Sequence, residues 1–112
     1  MLSVSERLEF AATDAKNRSV GDKKGGCALY SKEGKIYSGF YCRLDENFII
    51  EAVDMALCLA LGDGCSKFTA AHLCGEAFNP ASLKRLSRFG DLLVNLGEEN
   101  SRTATTLKKL ML

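Results

Sequence analysis

Wound into a helix, residues 48–61 (FIIEAVDMALCLAL) are apolar almost all round. The only charges are Glu51 and Asp54, an i, i+3 pair on one face. Such a helix has no face suited to water, so the rest of the chain has to enclose it. Gly62-Asp63-Gly64 supplies the stop, glycine being the usual residue just past a helix end. The longest unbroken apolar run, 55–61, falls well short of the roughly 18 residues a membrane span needs, so a core helix is expected and no membrane association. With 112 residues, the chain is expected to be a single domain, 1–112, large enough to bury that core. A composition of 46% hydrophobic and 26% charged residues excludes disordered and low-complexity classes.

The flanking patterns suggest what does the enclosing. Residues 3–17 read as an amphipathic helix, with Ser3 and Glu6 at capping-box spacing and Val4, Leu8, Ala11 and Ala15 on one face. Residues 27–30 and 36–42 read as strands joined by the turn Lys32-Glu33-Gly34-Lys35, and 43–47 as a polar connection into the central helix. Strands are expected at 68–74 and 92–96, a short basic helix at 81–89 stopped by Gly90, and a terminal helix at 105–112. Helical crossovers imply parallel neighbours. The expected architecture is α/β: a mixed sheet of four or five strands, an antiparallel hairpin followed by parallel strands, with helices on its faces.

Five cysteines and one histidine are the residues richest in chemistry. The acidic and basic N-terminus is unlike a secretory signal, so a reducing, cytoplasmic setting and free thiols are expected. Cys65, His72 and Cys74, with Cys58, could gather round a metal, but their spacing matches no zinc pattern. The competing reading makes Cys58 and Cys74 small core residues and His72 a polar residue on a strand. A Cys–His nucleophile lacks an orienting third group. Glu51 and Asp54 could be an acid/base pair or the polar edge of a buried helix. If buried, Asp54 is expected to have a raised pKa. Lys84, Arg85 and Arg88 form a basic helix face, followed later by Lys108 and Lys109. That face suits a weak anionic partner, such as RNA backbone in a ribonucleoprotein, or simply solvent. No aromatic stacking platform accompanies it.

The element order resembles that of the cytidine deaminases, and several segments do so in detail. Gly26-Cys27-Ala28-Leu29 resembles the family's first-strand G-A-A-L, and residues 33–39, EGKIYSG, its hairpin D-G-K-I-F-T-G. Arg88-Phe89-Gly90 resembles its E-F-G, and Thr105-Thr106-Leu107 the T-T-L opening its terminal helix. The resemblance spans nearly the whole chain and implies the family's three-layer fold. It also implies a tendency to form dimers or tetramers through the faces around the central helix.

In that family one Cys or His and two further Cys hold a zinc ion, and a glutamate that is not a ligand moves protons. The metal brings the pKa of its bound water near neutrality, which makes the nucleophile. Carried forward without gaps from the hairpin, the first ligand falls on Ala52 and the glutamate on Asp54. With three residues missing from the connection, they fall on Ile49 and Glu51. The second motif falls around residues 79–84, its two cysteine positions on Ala81 and Lys84 or on Asn79 and Ser82. No register places Cys or His at these positions, so no zinc is expected, and Asp54 or Glu51 would be a relic of the catalytic glutamate.

The substrate side is altered too. Lys23 stands where the family presents an aromatic ring. Tyr41 and Arg43 stand where an Asn and a Glu hold the ribose, and Arg43 cannot accept a hydrogen bond. The resemblance therefore implies a catalytically inactive relative acting as an interaction or structural subunit, as a homo-oligomer or within a larger assembly. Two alternatives stay open: a degenerate site that still binds a nucleoside or nucleotide, and an active deaminase with a rearranged metal site.

Overall fold

A computed structural model of the chain describes residues 2–77, 79–97 and 103–112. The chain opens with helix α1 (Val4–Asn17), capped as its sequence predicts: Ser3 accepts from the Glu6 backbone while Glu6 reaches back to Ser3. Strands β1 (Gly25–Ser31) and β2 (Ile36–Phe40) follow, then β3 (Cys42–Asp45) and β4 (Phe48–Ile50). Helix α2 (Ala52–Gly62) leads to β5 (Phe68–Gly75), α3 (Pro80–Leu86), β6 (Leu93–Leu96), β7 (Thr103–Thr106) and the single-turn α4 (Leu107–Leu110).

Five strands form one mixed sheet in the order β2-β1-β5-β6-β7, and β3 and β4 make a separate two-stranded ribbon. Side-chain alternation along β1 separates two cores. Ala28 faces Leu8 and Ala12 of α1 together with Cys74. Cys27 and Leu29 face α2 and α3 with Leu73, Val94 and Leu107. The molecule is therefore layered as helix, sheet and helices. Of the expected parallel neighbours, only β5 and β6 are parallel. β1 and β5 are antiparallel because α2 carries the chain from β2 over β1, so the parallel strands joined by that crossover are β2 and β5.

Four boundaries depart from the sequence reading. Residues 48–50 are not the first turn of the central helix. They are strand β4, paired with β3, and 43–47 is strand and turn rather than an unstructured connection. Phe-Ile-Ile favours a pleated backbone, and Glu51 at φ −76°, ψ 151° is the extended cap from which α2 begins. The run 36–42 breaks at Tyr41, whose backbone N–H turns to the Gly25 carbonyl before β3 starts. The basic helix starts earlier than 81, at Pro80 with Asn79 as its cap, and gives way at Ser87–Phe89 to a 3-10 turn. Residues 105 and 106 belong to β7, and only Leu107–Leu110 is helical.

Two glycines set the spacing between the layers. A Cβ on Gly26 would lie 2.5 Å from the Lys16 backbone nitrogen of α1, and one on Gly39 would lie 2.5 Å from the Ala56 nitrogen of α2. Gly39 pairs with Cys27, the residue next to Gly26, so both helices rest on the sheet at almost the same point from opposite sides.

Candidate functional site

The two segments in which the resemblance looks for metal ligands meet in space. Helix α2 is fixed at its N-terminus by the β4 strand before it, and α3 by the Asn79–Pro80 start, where Asn79 Oδ1 accepts from the Ser82 backbone. The two helix starts then face each other. Asn79 Nδ2 donates to Glu51 Oε1 at 3.3 Å, and the Ser82 hydroxyl donates to Asp54 Oδ2 at 2.9 Å. Arg85 grips the same carboxylate with both arms of its fork, Nε to Oδ1 at 2.8 Å and Nη2 to Oδ2 at 2.7 Å.

The Asp54 side chain is 23% exposed and the Arg85 side chain 52%. Partial burial pushes the Asp54 carboxyl up, but hydrogen bonds from Arg85 and Ser82 outweigh it and hold the carboxyl below the usual aspartate value. The expectation of a raised pKa is corrected accordingly. Burial does act as expected, but a bidentate cation bound to the charged form acts more strongly. Sequence reasoning missed Arg85 as this partner. Ser82 and Arg85 do lie i, i+3 on one face of α3, but nothing in the sequence says that this face meets the α2 start.

Glu51 instead lines an open cavity of about 390 Å³ together with Lys23, Gly75, Glu76, Asn79 and Pro80. Asp54 is not in its wall. Lys23, Tyr41 and Arg43, the three positions matched to the substrate side, gather around Asp22. The buried Tyr41 donates its hydroxyl to Asp22 Oδ1 at 2.9 Å, and Arg43 Nη1 lies 3.3 Å from Asp22 Oδ2. Lys23 Nζ sits 5.9 Å from the centre of the Tyr41 ring. The Tyr41 hydrogen bond is the main cause that holds Asp22 low, with Arg43 and Lys23 adding to it. Burial and the Asp22 hydrogen bond push Tyr41 up. Of the three, only Lys23 reaches the cavity; Arg43 is held on Asp22.

Zinc of the deaminase kind needs a set of soft donors. Between the α2 and α3 starts the donors are the Glu51 carboxylate, the Asn79 amide, the Ser82 hydroxyl and an Asp54 already saturated by Arg85. This set does not fit the ion. Among the described residues no group of three His, Cys, Asp or Glu side chains is arranged to hold a metal. The other candidate cluster is dispersed as well. Cys65 is buried on the α2 side, and Cys74 and His72 stand on the α1 side. Cys58 is exposed rather than a core residue, because the outer face of α2 is left uncovered. His72 and Cys74 both turn to the Gly97 carbonyl rather than to each other. Lys84, Arg85 and Arg88 are all exposed on the basic face, and Arg85 is engaged with Asp54.

No family model and no curated protein matches the sequence. Solved structures do. A cytidine deaminase from Burkholderia pseudomallei superposes with a TM-score of 0.81 at 24% identity, covering 97% of this chain and 96% of its own. The chain has the cytidine deaminase fold. The enzyme from Mycobacterium leprae matches at 0.79 with 14% identity over 98% of each chain, and that from Bacillus anthracis at 0.72 with 16% identity over 96% of this chain and 86% of its own. The similarity runs through nearly the entire chain in each case, so the α2–α3 junction lies within the shared fold. Among the described residues, no helix is long and apolar enough to cross a membrane.

Proposed function

We propose that this chain is a deaminase-fold protein without zinc-dependent deamination chemistry, which serves as an interaction or structural subunit. The observation that carries the reading is the Arg85 fork closed on Asp54 between the two helix starts. A strongly paired, hydrogen-bonded carboxylate suits a structural tie between helices and is a poor proton shuttle. On the outer face of α2, Leu59 and Leu61 are 54% and 48% exposed beside Cys58. Apolar side chains left open on the central helix suit a contact with a second copy of the chain.

Metal analysis of the purified chain tests the first half: far less than one zinc per chain is expected, with no loss of cytidine absorbance on incubation. Stoichiometric zinc, or turnover that a chelator blocks, would overturn the proposal. Light scattering tests the second half. An oligomer is expected that Leu59→Glu converts to monomer, and a wild-type chain that is monomeric and recovers no partner from its native source would remove the subunit role.

A second reading is favoured by the 390 Å³ cavity that Lys23 and Glu51 share. Its ammonium and carboxylate suit a retained nucleoside or nucleotide. A ligand that binds only the folded chain raises the thermal midpoint. A rise with a nucleoside or nucleotide, lost in Lys23→Ala, is the expected outcome of that reading, and a flat response across both classes would remove it.

A further inference from the structure

Another cavity, of about 400 Å³, opens at the end of the sheet where β6 begins and β7 finishes. Strand register builds it. β6 and β7 are antiparallel with Leu93 opposite Thr106, so the residues just before 93 and just after 106 become neighbours. The Leu107 N–H donates to the Leu92 carbonyl at 2.8 Å, and the Lys108 N–H to Asp91 Oδ1 at 2.7 Å. The turn after α3 supplies the other wall. Phe89 packs edge-on against Phe68, with ring centres 5.7 Å apart, and Gly90 at φ 116° then redirects the chain. Ser87, Gly90 and Asp91 line the cavity from this turn. Leu107, Lys108, Met111 and Leu112 line it from the α4 segment.

The walls combine two chemistries. Leu107 is fully buried, whereas Met111 and Leu112 are 41% and 98% exposed, so apolar surface runs from the core out to solvent. A cavity of this size with apolar walls and a few polar groups is the usual form of a small-molecule site. The charge is one-sided. Residues 87–91 and 107–112 carry the exposed cations Arg88, Lys108 and Lys109 against the single acid Asp91. Asp91 is turned to the Lys108 backbone, and the Ser87 hydroxyl donates to the Lys84 carbonyl, so both hold the walls in place. Lys108 is itself in the wall, and its ammonium is the charge that a ligand there meets.

We propose that this cavity binds an amphiphilic anion, a medium-chain aliphatic carboxylate. Its hydrocarbon tail covers Leu107, Met111 and Leu112, and its carboxylate pairs with Lys108 at the mouth. An inorganic anion is the poorer occupant, because it would leave the apolar wall uncovered. The site is independent of the subunit contact on α2 and of the cavity shared by Lys23 and Glu51.

The test is an NMR titration of the folded chain with sodium octanoate, below the concentration at which it forms micelles. Saturable shifts of the Leu107 and Met111 methyls and of the Gly90 and Lys108 amides are expected, while Leu59 and Leu61 on α2 stay unmoved. Affinity should rise about threefold for each CH₂ added between butanoate and octanoate. Lys108→Ala removes the ammonium but keeps the backbone N–H, and should weaken octanoate binding about threefold. Met111→Asp changes an exposed position, so it should fold, and should weaken binding about tenfold. Four results would overturn the site: no saturable shift with octanoate, equal shifts at Leu59 and Leu61, affinity independent of chain length, or undiminished binding in either variant.

Discussion

At the scale of single residues, glycines and one carboxylate do the most work. Gly26 and Gly39 stand out in the sequence only as members of the first-strand and hairpin motifs of the resemblance, yet each lets a helix backbone approach the sheet more closely than any side chain would permit. Gly26→Ala is expected to cost about 3 kcal/mol in chemical denaturation, the upper range for overpacking, because the obstruction is backbone and cannot rotate away. Gly62→Ala is the control: no atom lies within 4 Å of its Cβ, and it should gain about 0.5 kcal/mol by restricting the unfolded chain. A small loss at Gly26 would mean that α1 sits less tightly than described. Asp54 supports a second prediction. Asp54→Asn should lower stability at neutral pH by about 1–2 kcal/mol, at the low end for charge-assisted bonds because Arg85 is half exposed. The folded-state pKa of Asp54 lies below its unfolded value, so this contribution is present above the unfolded value and fades as pH falls through the folded one. Wild type and variant should therefore converge in acid, and a gap that persists there would assign the effect to something other than ionisation.

At the scale of elements, the segments misread from sequence are those in which local preference and hydrophobic pattern conflict. Residues 48–50 continue the apolar run of α2, but they are β-branched or aromatic and a strand partner, β3, lies within reach. The same holds for Thr105 and Thr106, which extend the sheet beside β6 before α4 turns inward. As an isolated peptide, α4 is far too short to form a helix. It is held by the fully buried Leu107, by the Thr106 cap, and by Asp91, which accepts from the Lys108 backbone N–H at 2.7 Å. Leu107→Ala should accordingly cost about 2–5 kcal/mol, as for any buried leucine, despite the size of the element. A loss of under 1 kcal/mol in a denaturant melt would show that α4 is dispensable to the core.

At the scale of the molecule, the layered fold sorts the five cysteines by exposure. Cys27, Cys65 and Cys74 are buried, Cys42 is partly covered and Cys58 is exposed. Burial pushes the Cys27 thiol far up, with Cys74 and Asp54 adding to it. A thiol reagent should therefore modify Cys58 quickly, Cys42 more slowly, and the other three only on unfolding. Mass spectrometry of the partially modified chain reads this order directly, and early labelling of Cys27 would contradict the core. The sequence by itself determined the capped first helix, the hairpin after it and the enclosed central helix, because each rests on spacing within one segment, whereas strands β3, β4 and β7 were not legible in it. It also showed that the positions expected to hold metal carry neither cysteine nor histidine. Only the tertiary structure decided that Arg85 holds Asp54, that Tyr41 and Arg43 converge on Asp22, and that His72 is buried with Nε2 on the Gly97 carbonyl. These depend on which helix starts and strands become neighbours, and the contacts join residues about 20 to 30 positions apart, a separation that spacing within one segment does not reach.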